Sequence, residues 1–224
     1  MSDKRRTFRD RRDAGQVLAR DLAPYLAPYQ GPPNGLQNLL VLGLARGGVP
    51  IAAEVARALN APLDVCLVRK LGVPQWPELA MGAVATGGGV VLNHDLLRSL
   101  GINDEQVRDA ITRETAELHR RELAYRGGRG PLEVTGRVVV LVDDGIATGA
   151  SMVAAVRSVR EAGAEQVVVG APVGPATVCR LLREEADQVV CSTMPGNFQA
   201  VGQVFADFHQ VSDDEVRQLL AVPH

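Results

Sequence analysis

The chain has 224 residues, enough for one domain with a substantial core. Its 24 basic and 26 acidic residues give a formal net charge of −2, so charge offers no general argument for binding nucleic acid or a membrane surface. The 3 cysteines lack the spacing of a disulfide frame or a zinc site, and no apolar run reaches membrane-spanning length, so we expect a soluble protein of the reducing cytoplasm.

The first predicted element is an amphipathic helix over Ala14 to Tyr25, where apolar residues recur at spacings of three and four. Pro24 and Pro28 predict its end. A basic cluster at residues 9–12 precedes the apolar stripe. We expect this cluster to form a solvated face, although basic side chains could also meet an anion.

After a predicted loop at residues 30–35, the apolar run Leu39 to Leu44 predicts a buried strand and Ile51 to Leu59 predicts a helix. The turn between them is Arg46-Gly47-Gly48. Glycine amides together with a guanidinium suit a dianion such as pyrophosphate. A tight turn with a surface arginine explains the same residues equally well.

Leu63 to Val68 predicts a second strand, and Arg69 and Lys70 follow it directly. Ligands of open α/β sheets bind outside the carboxyl ends of the strands, so both cations are placed for an anionic ligand. Exposed charges at a sheet edge are the alternative. Two prolines within residues 71–78 predict an irregular segment.

The next elements carry less chemical information. Residues 80–86 and 90–92 predict a β-hairpin, and residues 103–125 predict a long, charged helix. The segment 125–131, rich in glycine and arginine, is either a lid over the ligand or a solvated linker.

The stretch Val138 to Ser151 carries the clearest chemical signal. Val138 to Val142 is an unbroken β-branched and aliphatic run, typical of a strand buried on both faces, and it stops at Asp143 and Asp144. A loop with glycines and hydroxyls follows, and then apolar residues at helical spacing. The predicted order is strand, polar loop, helix.

This arrangement favours a ribose 5-phosphate as ligand. Free amide groups at a helix N-terminus, approached closely through glycine and supplemented by hydroxyls, form a phosphate cradle. Two carboxylates beside the cradle suit a pair of vicinal hydroxyls. An ordinary turn with a capping Thr or Ser is the alternative, but adjacent acids at the end of a buried strand are costly without partners.

The rest of the chain completes an alternation of strands and helices. It predicts an α/β fold with a Rossmann-like open, mainly parallel sheet flanked by helices. Residues 192–211 are aromatic and irregular and predict a small C-terminal hood, and Ser212 predicts the N-cap of a closing helix. We expect a single domain over residues 1–224. The last predicted strands and the helix between them are at 166–171, 176–185 and 188–191.

The sequence of residues 138–151, VVVLVDDGIATGAS, resembles the phosphoribosyl-pyrophosphate (PRPP) signature of the type I phosphoribosyltransferases. The resemblance implies transfer of the 5-phosphoribosyl group between PRPP and a nitrogen base, with release of pyrophosphate, in nucleobase salvage or related nucleotide metabolism. It implies that Asp143 and Asp144 hold the ribose hydroxyls. The 5-phosphate would lie against Gly145, Ile146, Ala147, Thr148, Gly149, Ala150 and Ser151.

Further roles follow from the same resemblance. In related enzymes a hood sandwiches the base, which makes Phe198, Phe205 and Asp207 secondary candidates for the base side. Buried aromatics of a small subdomain explain them as well. Magnesium would be bound mainly through PRPP and water, with no direct protein ligand. Pyrophosphate would meet Arg46, Gly47, Gly48, Arg69 and Lys70.

The acceptor base stays open. Hypoxanthine and guanine enzymes usually carry an Asp immediately before the Thr of the phosphate loop, and Ala147 occupies that position here. We therefore expect hypoxanthine and guanine to be poor acceptors.

Two alternatives from other classes remain. One is a PRPP-sensing regulatory or binding protein without turnover, and the other is chemistry on a ribosyl phosphate without PRPP. A DNA-binding sensor would need a basic appendage, and only the arm Lys4 to Arg12 offers one. We expect PRPP and a base as partners, and neither a membrane nor nucleic acid; the sequence allows a homo-oligomer.

Overall fold

A computed structural model describes residues 6–29, 38–127 and 132–222. The loop predicted at 30–35 lies outside these residues, and so do positions 128–131 of the predicted lid or linker. In chain order, the helices and strands are α1 (Arg11–Leu26), β1 (Leu39–Leu44), α2 (Gly48–Leu59), β2 (Leu63–Cys66), β3 (Val68–Val73), β4 (Trp76–Ala85), β5 (Val90–Leu92), α3 (His94–Leu100), α4 (Asp104–Arg126), β6 (Val138–Val142), α5 (Ala150–Glu161), β7 (Gln166–Val173), α6 (Ala176–Leu182), β8 (Gln188–Thr193) and α7 (Asp213–Ala221).

Five parallel strands form the central sheet in the order β2-β1-β6-β7-β8. Every residue of β1, β2 and β6 is buried. The apolar runs of β1 and β6 suit a sheet that is covered on both faces, and Asp64 of β2 is buried in an ion pair with Arg126. From β1 the chain passes to β2 on one side, and from β6 it passes to β7 on the other, so the order reverses between β1 and β6. Ligands of open α/β sheets bind at such a switch point, which places the turns after β1 and β6 at the expected ligand crevice.

Helices cover both faces of this sheet. Leu18 and Leu22 of α1 and Ile51 of α2 belong to one buried cluster, whereas Met152 of α5 and Leu182 of α6 belong to the other. The predicted three-layer α/β arrangement follows from these two cores. Within the described ranges, no helix is both long and apolar enough to span a bilayer.

Strands β3, β4 and β5 form a separate antiparallel sheet. The predicted hairpin between residues 80–86 and 90–92 is confirmed, but the prediction of an irregular segment at 71–78 is wrong. Pro77 is accommodated because the β3–β4 register shifts beside Gly72, whose missing side chain leaves room for the Pro77 backbone.

Residues 192–211 are mostly irregular, with one 3-10 turn at Val201–Val204. They pair with the N-terminal segment, which the sequence did not indicate: the Phe8 amide donates to the Val204 carbonyl at 2.7 Å, and the Ala206 amide donates to the Phe8 carbonyl at 2.8 Å. The closing helix α7 begins after Ser212, whose side chain accepts from the Glu215 amide, as predicted.

Candidate functional site

The two acids that follow β6 are half-buried and adjacent. The Asp144 amide donates to Asp143 Oδ1 at 2.8 Å, and the Asp144 side chain is 16% exposed. Burial raises the pKa of Asp143 well above its usual range, and the Asp144 carboxylate adds to this effect. Burial also raises the pKa of Asp144, while the Arg11 guanidinium opposes the change. The environment therefore disfavours a negative charge on both acids, and a ligand that donates hydroxyl hydrogen bonds to the carboxylates would offset this effect.

The loop after the acids leads into the N-terminus of α5. Gly149 reaches the helix through a left-handed conformation, with φ of 81°, that glycine adopts without strain. The Ile146 amide anchors the loop by donating to the Val173 carbonyl at 2.8 Å. Asp143 and residues 145–152 line a cavity of about 170 Å³. Amides in the first turn of a helix have few intrahelical acceptors, so this cavity offers donors to a phosphate-sized anion.

The turn after β1 packs directly against the two acids. A methyl group on Gly47 would overlap the Asp144 carboxylate, and one on Gly48 would overlap the Val142 carbonyl. Both positions therefore need glycine for close approach. The peptide bond between Ala45 and Arg46 is cis.

The Arg46 side chain extends from this turn towards α7. Its Nη1 lies 3.5 Å from Asp213 Oδ1, and the same oxygen accepts a hydrogen bond from the Tyr125 hydroxyl at 2.7 Å. The Tyr125 hydrogen bond lowers the pKa of Asp213, and Arg46 contributes in the same direction. The Arg46 guanidinium is 37% exposed, so it can reach a ligand from solvent.

Arg69 and Lys70 occupy a different position from the one that the sequence indicated. They lie within β3 of the second sheet, whereas the prediction placed them after the end of a parallel strand. Arg69 donates to Glu114 Oε2 at 2.7 and 3.0 Å, and Lys70 Nζ lies 3.3 Å from Glu78 Oε2. Together with α4 residues they line a separate cavity of about 610 Å³.

The hood, residues 192–211, touches the loop after β6 at Gly145. A methyl group on Gly145 would overlap Val201 of the hood. Phe198 and Phe205 are partly buried against the main core, and the Phe205 and Phe208 rings lie 4.9 Å apart. Asp207 is exposed and pairs with His209, with 3.2 Å between Oδ1 and Nδ1. The structure thus brings the acids, the loop after β6, the 46–48 turn and the hood together.

One residue of the site was missed by sequence reasoning. Arg11 was grouped with a solvated basic face, and that prediction is wrong for Arg11, which is 8% exposed. Its Nη2 and Nε donate to Asp144 Oδ2 at 2.8 and 3.1 Å. The prediction holds for Arg9 and Arg12, whose side chains are largely exposed. The sequence does carry a signal for the burial of Arg11, because Arg11 lies at helical spacing from the apolar residues Ala14 and Leu18.

Comparisons with known proteins identify relatives of this chain. Residues 29–208 match the model of the phosphoribosyl transferase domain family. A Mycobacterium tuberculosis (strain H37Rv) protein named "Putative phosphoribosyl transferase" is 47% identical over 218 residues, which are 97% of this chain and 47% of that protein. The chain therefore spans about half the length of the curated relatives that it matches.

A second curated relative and a solved structure are also similar to this chain. The orotate phosphoribosyltransferase of Streptomyces coelicolor is 37% identical over 95 residues, which are 40% of this chain and 50% of that protein. The crystal structure of TT1426 from Thermus thermophilus superimposes with a TM-score of 0.79 at 44% identity, covering 96% of this chain and 97% of the other. The predicted α/β fold is confirmed.

Proposed function

This chain belongs to the phosphoribosyl transferase domain family, as its sequence signature predicted, and we propose that it transfers the 5-phosphoribosyl group between PRPP and a nitrogen base, with release of pyrophosphate. The observation that carries the proposal is the contact of three features at one sheet edge. The half-buried acids 143–144, the amide-lined cavity at 145–152 and the glycine turn at 46–48 adjoin one another. They match, in order, a vicinal diol, a phosphate and a pyrophosphate.

In this assignment, Asp143 and Asp144 accept hydrogen bonds from the ribose hydroxyls. The 5-phosphate lies in the cavity at the N-terminus of α5, where amide donors and the helix dipole favour an anion. Two anchors at opposite ends of the ribose fix the position of C1. Departure of pyrophosphate gives C1 oxocarbenium character, and the nearby carboxylates stabilise the positive charge that develops there.

Pyrophosphate is assigned to the turn at 46–48. Arg46 is part of this turn and its side chain is partly exposed, so it can exchange Asp213 for a ligand oxygen. Arg69 and Lys70 are part of the proposal too, but they would have to leave Glu114 and Glu78 to take part. The base is assigned to the hood beside Phe198 and Phe205, with Asp207 as a polar group at its rim.

Magnesium suits this site because the adjacent acids and the PRPP phosphates offer only hard oxygen donors. Among the described residues, no group of three or more His, Cys, Asp or Glu side chains is placed to hold a metal ion. We assign Mg²⁺ to PRPP oxygens and water, where it would supply charge neutralisation on the departing pyrophosphate.

Calorimetry with PRPP and Mg²⁺, followed by a screen of bases for pyrophosphate release, tests the proposal. Saturable PRPP binding and turnover with at least one base are expected. A protein that binds no PRPP would refute the assignment of the site. Tight PRPP binding without turnover on any base would favour the sensing protein over the transferase.

A further inference from the structure

Arg11 links three parts of the site from within the N-terminal helix. Its Nη2 and Nε donate to Asp144 Oδ2, and its Nη1 donates to the His209 carbonyl at 2.7 Å. The guanidinium carbon lies 4.0 Å from the centre of the Phe208 ring. The acid, the hood backbone and a hood aromatic therefore hold one side chain in a single orientation.

Burying an arginine is unfavourable unless its donors are satisfied and its charge is compensated. Arg11 is 8% exposed, and the rest of its helical stripe consists of small or apolar residues. An apolar side chain at this position would avoid the cost of removing a charge from water. The charge at position 11 is therefore better explained by its interaction with Asp144 than by packing.

We propose that Arg11 is a positioning residue for Asp144, which fixes this carboxylate for a ribose hydroxyl. Arg11 donates to Oδ2 alone, and among the described residues no other side chain donates a hydrogen bond to Oδ1. The guanidinium thus leaves one acceptor of Asp144 available for the ligand. This inference rests on the proposed function, because it assigns Arg11 a role in the same diol site.

The charge of Arg11 also supports its role as a positioning residue for Asp144. Burial raises the pKa of both Asp143 and Asp144, and Arg11 is the cation that lowers both. In the described part of the chain, Arg11 is the cation that acts on the pair, and the buried Cys66 thiol of β2 is close enough to Asp143 for the Asp143 charge to raise the Cys66 pKa. The 46–48 turn presents glycine, and the hood presents the His209 carbonyl, since the His209 ring pairs with Asp207 and Glu215. Without Arg11, a proton would remain on the pair to higher pH and remove an acceptor.

The test compares Arg11→Met and Arg11→Lys with Arg12→Met, a matched change on the same helix at an exposed arginine. Two probes separate the subsites: ribose 5-phosphate meets the diol acids and the phosphate cavity, whereas inorganic phosphate meets only the cavity. Arg11→Met should weaken ribose 5-phosphate binding about tenfold or more and leave phosphate binding nearly unchanged. Arg11→Lys should recover part of the loss, and Arg12→Met should bind both probes like the wild type.

The pH profile provides a readout that a purely structural role would not change. Ribose 5-phosphate affinity of Arg11→Met should rise with pH over a range where the wild type is flat, because deprotonation restores the missing acceptor. Equal losses for both probes with no pH dependence, or wild-type affinity in Arg11→Met, would overturn the positioning role. Tighter binding by Arg11→Met would also overturn it, since Arg11 would then compete with the ligand. A wild type that binds neither PRPP nor ribose 5-phosphate refutes the proposed function itself.

Discussion

Asp143→Asn and Asp144→Asn should have similar effects on PRPP binding but different effects on stability. Each change keeps the side-chain shape and removes one charged acceptor for a ribose hydroxyl. Hydrogen bonds to charged groups contribute about 1.5–3 kcal/mol each, so each variant should bind PRPP about 10- to 150-fold more weakly. Isothermal titration calorimetry of the folded variants with PRPP and Mg²⁺ measures this loss directly.

The stability effects differ because only Asp144 is hydrogen-bonded to a cation, Arg11. In Asp143→Asn the amide oxygen can still accept from the Asp144 amide, and a charge that burial and a neighbouring acid both disfavour is removed. The free energy of unfolding should stay the same or increase. In Asp144→Asn the buried Arg11 loses its carboxylate, which costs up to about 3–5 kcal/mol in fully buried pairs and somewhat less here, because Asp144 is 16% exposed.

The raised pKa of Asp143 also fixes the sign of a pH effect. The folded protein binds this proton more tightly than the unfolded chain, so wild-type stability should fall as pH rises from the ordinary aspartate pKa through the raised one. Asp143→Asn should weaken this dependence. Urea unfolding followed by circular dichroism across pH measures it. Equal destabilisation by both variants would refute the electrostatic reasoning, and wild-type PRPP affinity in either one would remove that acid from the diol site.

Three further predictions separate the remaining subsites. In calorimetry, Arg46→Ala should weaken the binding of PRPP and pyrophosphate but not of ribose 5-phosphate. The exposed control Arg57→Ala should change the binding of none of the three ligands. Equal losses for all three ligands would indicate that Arg46 has a structural role. Glu114→Gln should tighten PRPP binding about two- to fivefold if Arg69 reaches pyrophosphate, because the arginine loses its competing partner; unchanged affinity would confine Arg69 to a structural role. Wild-type turnover of hypoxanthine and guanine should be very low in a pyrophosphate-release assay, and Ala147→Asp should raise this turnover by supplying a proton acceptor. Robust wild-type activity on hypoxanthine would mean that another residue accepts the proton.

The parallel sheet could be predicted because its signal is local. A strand buried on both faces is a continuous apolar run, and the predicted bounds of β1 and β6 match the structure. The prediction for residues 71–78 was wrong because prolines disfavour regular structure when only the local sequence is considered. Pro77 fits into β4 because the strand register shifts beside Gly72 of β3, and this depends on the pairing of two strands. Pairing across strands is not visible in a single run of sequence.

The same distinction applies to the site. The acids and the loop after them are contiguous in the chain, so a hypothesis about their ligand could be drawn from residues 138–151 alone. Arg11 lies 133 residues from Asp144, and only the packing of α1 onto the sheet brings them together. Even so, a charged residue on an otherwise apolar helical stripe indicates a buried partner, because such a charge is rarely left uncompensated.

The cations assigned to pyrophosphate each pair with an acid from another element. The Arg46 and Lys70 pairs are exposed, and such pairs contribute only about 0–1 kcal/mol each, so a multiply charged ligand can displace their acids at little cost. Glu114 is only 13% exposed, so its displacement from Arg69 should cost more. If these cations bind pyrophosphate as proposed, binding would release side chains of α7, α4 and β4 together. Ligand binding would then be coupled to the second sheet and to the closing helix, and not only to the loops of the central sheet. The three pairs are Arg46–Asp213, Arg69–Glu114 and Lys70–Glu78.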